Sequence, residues 1–210
     1  MLLPTTCPVC GDRGPAPCER CAAGLRRAPS LPAPQGVDSC GAFLAYVDEG
    51  RELVARLKYR NARSSVPFLA RGMAAVAPPE VELVTWAPTT PARLRSRGFD
   101  QARLLARAVA RELQIPCLPL LVRRPGPAQT GRDAAARHSG PAFTARRSLD
   151  GRRVLLVDDV VTTGATVASG ARALRDAGAE AVHVVAAART PARRGHVHSA
   201  MPALRRQLWK

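Results

Sequence analysis

Along most of the chain, short apolar runs alternate with stretches whose apolar residues recur at helical spacing. CGAFLAYV, residues 40–47, predicts a strand. Glu49 to Val76 predicts helical segments broken near Asn61 and Pro67, because proline ends a helical pattern. VELVTWAP, residues 81–88, is an apolar run closed by proline and predicts a buried strand. In Gln101 to Leu113 the apolar positions (Ala102, Leu105, Ala106, Val109, Ala110, Leu113) trace one face of a helix, and Ile115 to Val122 follows as a further strand. RRVLLVDD supplies another strand, Ala165 to Ala177 a helix with Gly178 as its stop, and AVHVVAAA a last strand. Strands that are apolar throughout and alternate with helices predict an α/β fold, a parallel sheet flanked by helices on both faces.

The first residues break this rhythm. Cys7, Cys10, Cys18 and Cys21 form two CxxC pairs separated by seven residues, among glycines and prolines and with almost no core of their own. Two such turns bring four thiolates into the tetrahedral set that Zn²⁺ takes in closed structural sites. A disulfide framework competes, but a reducing compartment disfavours it, and pairing within a CxxC staples nothing distant. The set therefore predicts a structural Zn²⁺. Cys40 and Cys117 stand among apolar neighbours and predict buried small hydrophobes. Residues 28–36, APSLPAPQG, hold three prolines and no charge and predict an extended spacer. The expected organisation is a four-cysteine zinc module over 1–27, a Pro-rich linker over 28–39, an α/β domain over 40–200 and a basic tail over 201–210.

Composition and charge narrow the partners. Hydrophobic residues at 46% and charged residues at 23% are a globular balance, which excludes disorder throughout. No uncharged stretch approaches the ~18 residues of a membrane-spanning helix, so no membrane insertion is expected. MLLPTTCP lacks the basic and apolar regions of a secretory signal, so a cytoplasmic location is expected. The formal net charge is +16, and all basic residues but Lys58 and Lys210 are arginine. Such charge favours polyanions, including weak, sequence-independent nucleic-acid binding, while the arginine content of a GC-rich genome accounts for the average equally well. Position adds to this: arginines crowd 83–111, 123–147 and the tail, and no acid follows Glu180.

The chemistry is concentrated in VLLVDDVVTTGAT, residues 154–166. A buried strand ends in Asp158 and Asp159, and Thr162, Thr163, Gly164, Ala165 and Thr166 then open a helix. Open parallel sheets bind ligands beyond the carboxyl ends of their strands. Threonine hydroxyls and the N–H groups of a helix start make an anion cradle, and a glycine lets the backbone approach a phosphate. The acids need hydroxyl donors or a divalent cation. A phosphorylated ribose offers both requirements at once, a phosphate for the loop and hydroxyls for the acids. An ATPase reading of the Asp pair lacks its Walker A lysine, and no GxGxxG is present. Arg123 to Pro141 is too long for an ordinary connection and predicts a functional loop. Its His138, and His196 and His198 in the tail, are expected to be exposed side chains.

VLLVDDVVTTGAT resembles the 13-residue phosphoribosyl pyrophosphate (PRPP) motif of type I phosphoribosyltransferases. The whole chain resembles the ComF family, associated with competence and DNA uptake. The shared features are the cysteine pairs, Leu57-Lys58-Tyr59-Arg60, Arg97-Gly98-Phe99-Asp100-Gln101 and Gln129-Thr130-Gly131 before Phe143. Asp100 replaces the family's usual Asn, and the loop from Gln129 to Phe143 is shorter than the family pattern. The resemblance implies a type I phosphoribosyltransferase-like domain with a zinc-binding N-terminus. It places the 5-phosphate of PRPP, or of a related phosphorylated ribose, at Thr162 to Thr166 and the ribose hydroxyls on Asp158 and Asp159. It makes the turn after Pro88 the pyrophosphate loop, sets Arg93, Arg95 and Arg97 of that loop beside the departing Mg²⁺-pyrophosphate and makes Arg123 to Pro141 a hood. Asp158, Asp159 and Arg97 are then the candidate catalytic residues. The implied function is PRPP binding with Mg²⁺ and transfer of phosphoribose to an acceptor. The alternatives are a non-catalytic PRPP- or nucleotide-sensing module and a nucleic-acid-handling accessory of the competence machinery that uses the fold as a scaffold.

Overall fold

Local chemistry sets the helix ends. In the computed structural model, which describes residues 5–124 and 141–191, the chain runs α1 (Glu19–Ala23), β1 (Ser39–Ala45), α2 (Asp48–Arg60), a 3₁₀ turn (Arg63–Ser65), α3 (Val66–Ala74), β2 (Leu83–Trp86) and α4 (Pro91–Arg97). It continues through α5 (Gln101–Leu113), β3 (Leu121–Arg123), β4 (Phe143–Ala145), β5 (Arg153–Val161), α6 (Ala165–Asp176) and β6 (Ala181–Arg189). Asp100 caps α5 by accepting from Arg103 N at 3.2 Å, and Thr90 caps α4 by accepting from Arg93 N at 3.2 Å. Pro91 fits the first turn of α4, where no N–H is needed, and Gly98 closes it in the left-handed region at φ 75°.

Four parallel strands make the main sheet in the order β1-β6-β5-β2. One apolar core lies between the sheet and α2, α3 and α5, around Leu53, Leu57, Leu69, Met73, Leu105 and Leu155. A second lies on the opposite face against α6 and the β3–β4 hairpin, around Leu156, Val167, Leu174, Val184 and Phe143. The α/β architecture with a parallel sheet is thus as the alternation predicts, and α5 occupies the predicted residues.

Three elements differ from expectation. The strand expected over 115–122 is reduced to β3, which pairs antiparallel with β4, plus one parallel bridge from Cys117 to Val84. Pro116 and Pro119 supply no N–H and interrupt the ladder there. β5 continues through the two acids to Val161, because β6 matches it as far as Arg189. The proline-rich linker is docked: Arg27 bridges Leu44, and Ala28 N donates to Phe43 O at 3.3 Å. The N-terminal module is likewise joined to the domain, with Ala22 and Leu25 part of the first core. Most of the expected hood, with His138, and the tail with His196 and His198 lie outside the described residues.

Candidate functional site

β5 carries Asp158 and Asp159 to the carboxyl edge of the sheet and turns at Thr162–Gly164 into α6. Gly164 has φ 81°, a conformation costly to any residue with a Cβ, and the sharp turn it permits points the first N–H groups of α6 past the strand end. Thr162 and Thr163 are exposed, and Thr163 Oγ1 accepts from Ala165 N at 3.4 Å. A notch of about 20 Å³, lined by Asp158 and residues 160–167, lies at this turn. One water needs roughly 10–15 Å³, so the notch as it stands holds little more than one water.

The adjacent acids meet different neighbours, as successive side chains of a strand point to opposite faces. Asp159 faces α2 and accepts Lys58 Nζ at 3.1 Å, with both side chains about 15% exposed. That burial makes the pair weightier than a surface ion pair. Asp158 keeps some exposure and lines the notch, crowded by its protein neighbours. Burial, followed by the charge of Asp159, pushes it up to about 8, against the Asp159 N–H it accepts at 2.8 Å and the charge of Lys58. Asp100 is a third acid in this field. Its carboxyl is pushed up by burial and by Asp159, while N–H donation from Thr89 at 3.1 Å and from Arg103 opposes the shift. Asp100 thereby ties the start of the 88–98 segment to α5.

The segment expected to be a loop of three clustered arginines folds as α4. At helical spacing Arg93 and Arg97 share a face, while Arg95 points elsewhere. Arg97 lies over the ring of Tyr59 at 4.9 Å, beside Lys58. Arg93 is within electrostatic reach of Arg123, whose guanidinium is pushed down by burial and by Arg93 and held up by Asp158. Arg123 donates to Pro88 O at 3.3 Å and lies over Phe143 at 5.5 Å. Lys58 and Arg123 therefore join the candidate set. Lys58 carried a signal, a lone internal lysine in an arginine-rich chain, whereas nothing in the sequence distinguished Arg123 from its neighbours.

The four module cysteines come together at the N-terminus. Their Sγ atoms all lie within 4.8 Å of one another, and Cys10 Sγ is 3.7 Å from Cys18 Sγ. Tetrahedral Zn–S bonds of 2.3 Å separate sulfurs by about 3.8 Å, so the donor set fits a zinc ion. The backbone favours a thiolate at Cys7. Burial opposes ionisation of Cys7, yet N–H groups of Cys10, Cys18 and Val9 bring it down to about 6. Burial and the three neighbouring sulfurs push Cys21 up to about 12.

Residues 100–202 match the phosphoribosyl transferase domain family. The chain carries a phosphoribosyl transferase domain. It is 37% identical over 100 residues to competence protein F of Haemophilus influenzae, covering 44% of each chain. It is 28% identical over 139 residues to competence protein ComFC of Bacillus subtilis, covering 63% of this chain and 56% of that one. The ComF resemblance drawn from the motifs is thus borne out, and the chain spans about half the length of the curated relatives it matches. Among solved structures, the glutamine PRPP amidotransferase from B. subtilis aligns at 23% identity over 64% of this chain and 30% of that one, with a TM-score of 0.46. The matched part of the phosphoribosyl transferase domain holds Asp100, Asp158, Asp159 and the 162–166 turn. Lys58, the α4 arginines and the four cysteines lie before it.

Proposed function

We propose that the chain binds PRPP together with Mg²⁺ at the carboxyl edge of its sheet and transfers the phosphoribosyl group to an acceptor. The observation that carries this reading is the acid pair on β5 running directly into a threonine turn that opens α6, with Lys58, Arg93, Arg97 and Arg123 around it. The hydroxyls of Thr162, Thr163 and Thr166 and the first N–H groups of α6 donate to the 5-phosphate. The ribose 2- and 3-hydroxyls donate to Asp158 and Asp159. Lys58, Arg93 and Arg97 face the pyrophosphate, where guanidinium and ammonium groups match phosphate oxygens. Mg²⁺, when bound, neutralises charge on the pyrophosphate oxygens. The acceptor atom bonds to C1 as the C1–O bond breaks, and pyrophosphate leaves with the bonding electron pair. Held cations that stabilise the leaving charge supply most of the catalysis in such a reaction.

Calorimetry of Mg²⁺-PRPP with the full chain tests the reading. Asp158→Asn together with Asp159→Asn removes two carboxyl acceptors, and the loss of one charge-assisted hydrogen bond, about 1.5 to 3 kcal/mol, is enough for affinity to fall at least tenfold. An unchanged affinity places the ligand elsewhere. Pyrophosphate release from PRPP, screened against mixed bases and amines, tests the transfer step.

A second reading, a nucleic-acid-handling accessory that uses the fold as a scaffold, is favoured by one observation. Arg103, Arg107 and Arg111 are all exposed and lie one turn apart on α5, forming a basic stripe. Phosphate backbones match such a stripe without base-specific contacts.

A further inference from the structure

The linker has the composition of a free spacer, yet its middle is fixed against the candidate phosphate loop. Arg189, the last residue of β6, donates from Nη1 to Leu31 O at 3.2 Å and from Nη2 to Pro32 O at 2.8 Å. Two residues on, the Pro34 ring covers Gly164 so closely that a Cβ at position 164 would lie 2.5 Å from Pro34 Cγ. Val37 N closes the turn onto Pro34 O at 3.1 Å. Arg189 pairs in register with Val161, the residue before the threonine turn.

Arg189 is unusual in its own right. It is 6% exposed, and its Nε has no hydrogen-bond partner among the described residues. Among those residues no carboxylate forms an ion pair with it, so a buried guanidinium is held by linker carbonyls alone. Burying a charge is costly unless it is paired and hydrogen-bonded, and here the two linker carbonyls alone offset that cost. We propose that the linker is a wall of the phosphate loop and that Arg189 is its latch, a positioning residue that acts on Thr162–Thr166 through Leu31, Pro32 and Pro34. Gly164 is the freest residue of that loop, and an unconfined glycine turn must be ordered each time a ligand binds. The Pro34 ring removes that freedom beforehand. A side chain at position 164 would meet Pro34 before it met any phosphate, so the glycine is required by the linker as well as by the ligand.

The inference rests on the reading of residues 162–166 as the phosphate site, and the experiment separates the two. Amide hydrogen exchange is measured on the full chain and on Arg189→Met, Arg189→Lys and Pro34→Gly. Exchange at 162–166 is expected to quicken by at least about tenfold in Arg189→Met and Pro34→Gly, with 182–186 inside β6 unchanged. Arg189→Lys keeps a cation that can donate to both carbonyls and is expected to restore most of the protection. Mg²⁺-PRPP affinity is expected to fall about tenfold in the first two variants. Unchanged exchange at 162–166 in Pro34→Gly, which leaves Arg189 in place, overturns the proposal. Equal loosening of 182–186 overturns it too, since Arg189 would then only hold the strand end together. A wild-type chain that binds no PRPP removes the phosphate reading alone, because the exchange comparison needs no ligand.

Discussion

Asp158 and Asp159 are bonded to each other through the backbone yet sit in different fields. Lys58 compensates Asp159, whereas burial and its neighbour's charge push Asp158 up to about 8 from an ordinary 3.8. The folded chain thus holds the Asp158 proton more tightly than the unfolded chain. The stability this group contributes is complete below its unfolded value and is lost as pH rises through about 8. Asp158→Asn is therefore expected to be the more stable protein at pH 8, by at least about 1 kcal/mol in urea unfolding, with the difference shrinking towards pH 4. A variant that is weaker than the wild type at pH 8 would show that Asp158 is satisfied in the ligand-free chain. Lys58→Met leaves Asp159 uncompensated and is expected to cost about 1 to 2 kcal/mol, most of it recovered when Asp159→Asn is added. Additive losses in that double-mutant cycle would mean that the two side chains do not interact in solution.

At the scale of elements, Asp100 holds two together. Asp100→Ala removes the α5 cap and the bond to Thr89 N, and is expected to cost about 1 to 2 kcal/mol of stability and to loosen α4. Asp100→Asn keeps an acceptor without the buried charge and is expected to stay within about 0.5 kcal/mol of the wild type, as read from chemical denaturation. The arginine stripe belongs to this scale too. If α5 tracks a single strand, Arg103→Gln, Arg107→Gln and Arg111→Gln together should lower the slope of log affinity against log salt by about 2. An unchanged slope leaves the stripe as a solvated face. α5 was legible because thirteen residues of clean period leave one solution, and the site was legible because two acids and a threonine turn occur together at a strand end. The failures have physical causes. The 115–122 run is apolar enough for a strand, but prolines at 116 and 119 deny it a ladder. The 93–97 arginines look like a loop cluster until Thr90 and Pro91 are seen as a helix start. Pairings between distant residues, such as Lys58 with Asp159 or Pro34 over Gly164, are set by the topology and leave no local trace.

Across the whole molecule, the cysteine module and the domain share a core through Ala22 and Leu25. If the four cysteines hold the zinc ion their spacing fits, its removal is then expected to lower the midpoint of one common thermal transition by at least about 5 °C, on the scale of 2 to 4 °C per kcal/mol for this chain length. Calorimetry with and without chelator would reject this if an early, separate transition appeared while the main one stayed fixed. Strand order has a consequence for synthesis. β1 bonds to β6, and β2 to β5, so the two main-sheet strands made before Arg153 do not bond to each other. A ribosome therefore exposes a growing chain whose sheet has edges and no partners until β5 and β6 emerge. The four sulfurs of the cysteine module, closed between Cys7 and Cys21, need no later strand to come together. Chains arrested before Ala181 would carry β1 and the free flank of β5 unpaired, and those bare edges are where aggregation in a stalled translation product would begin.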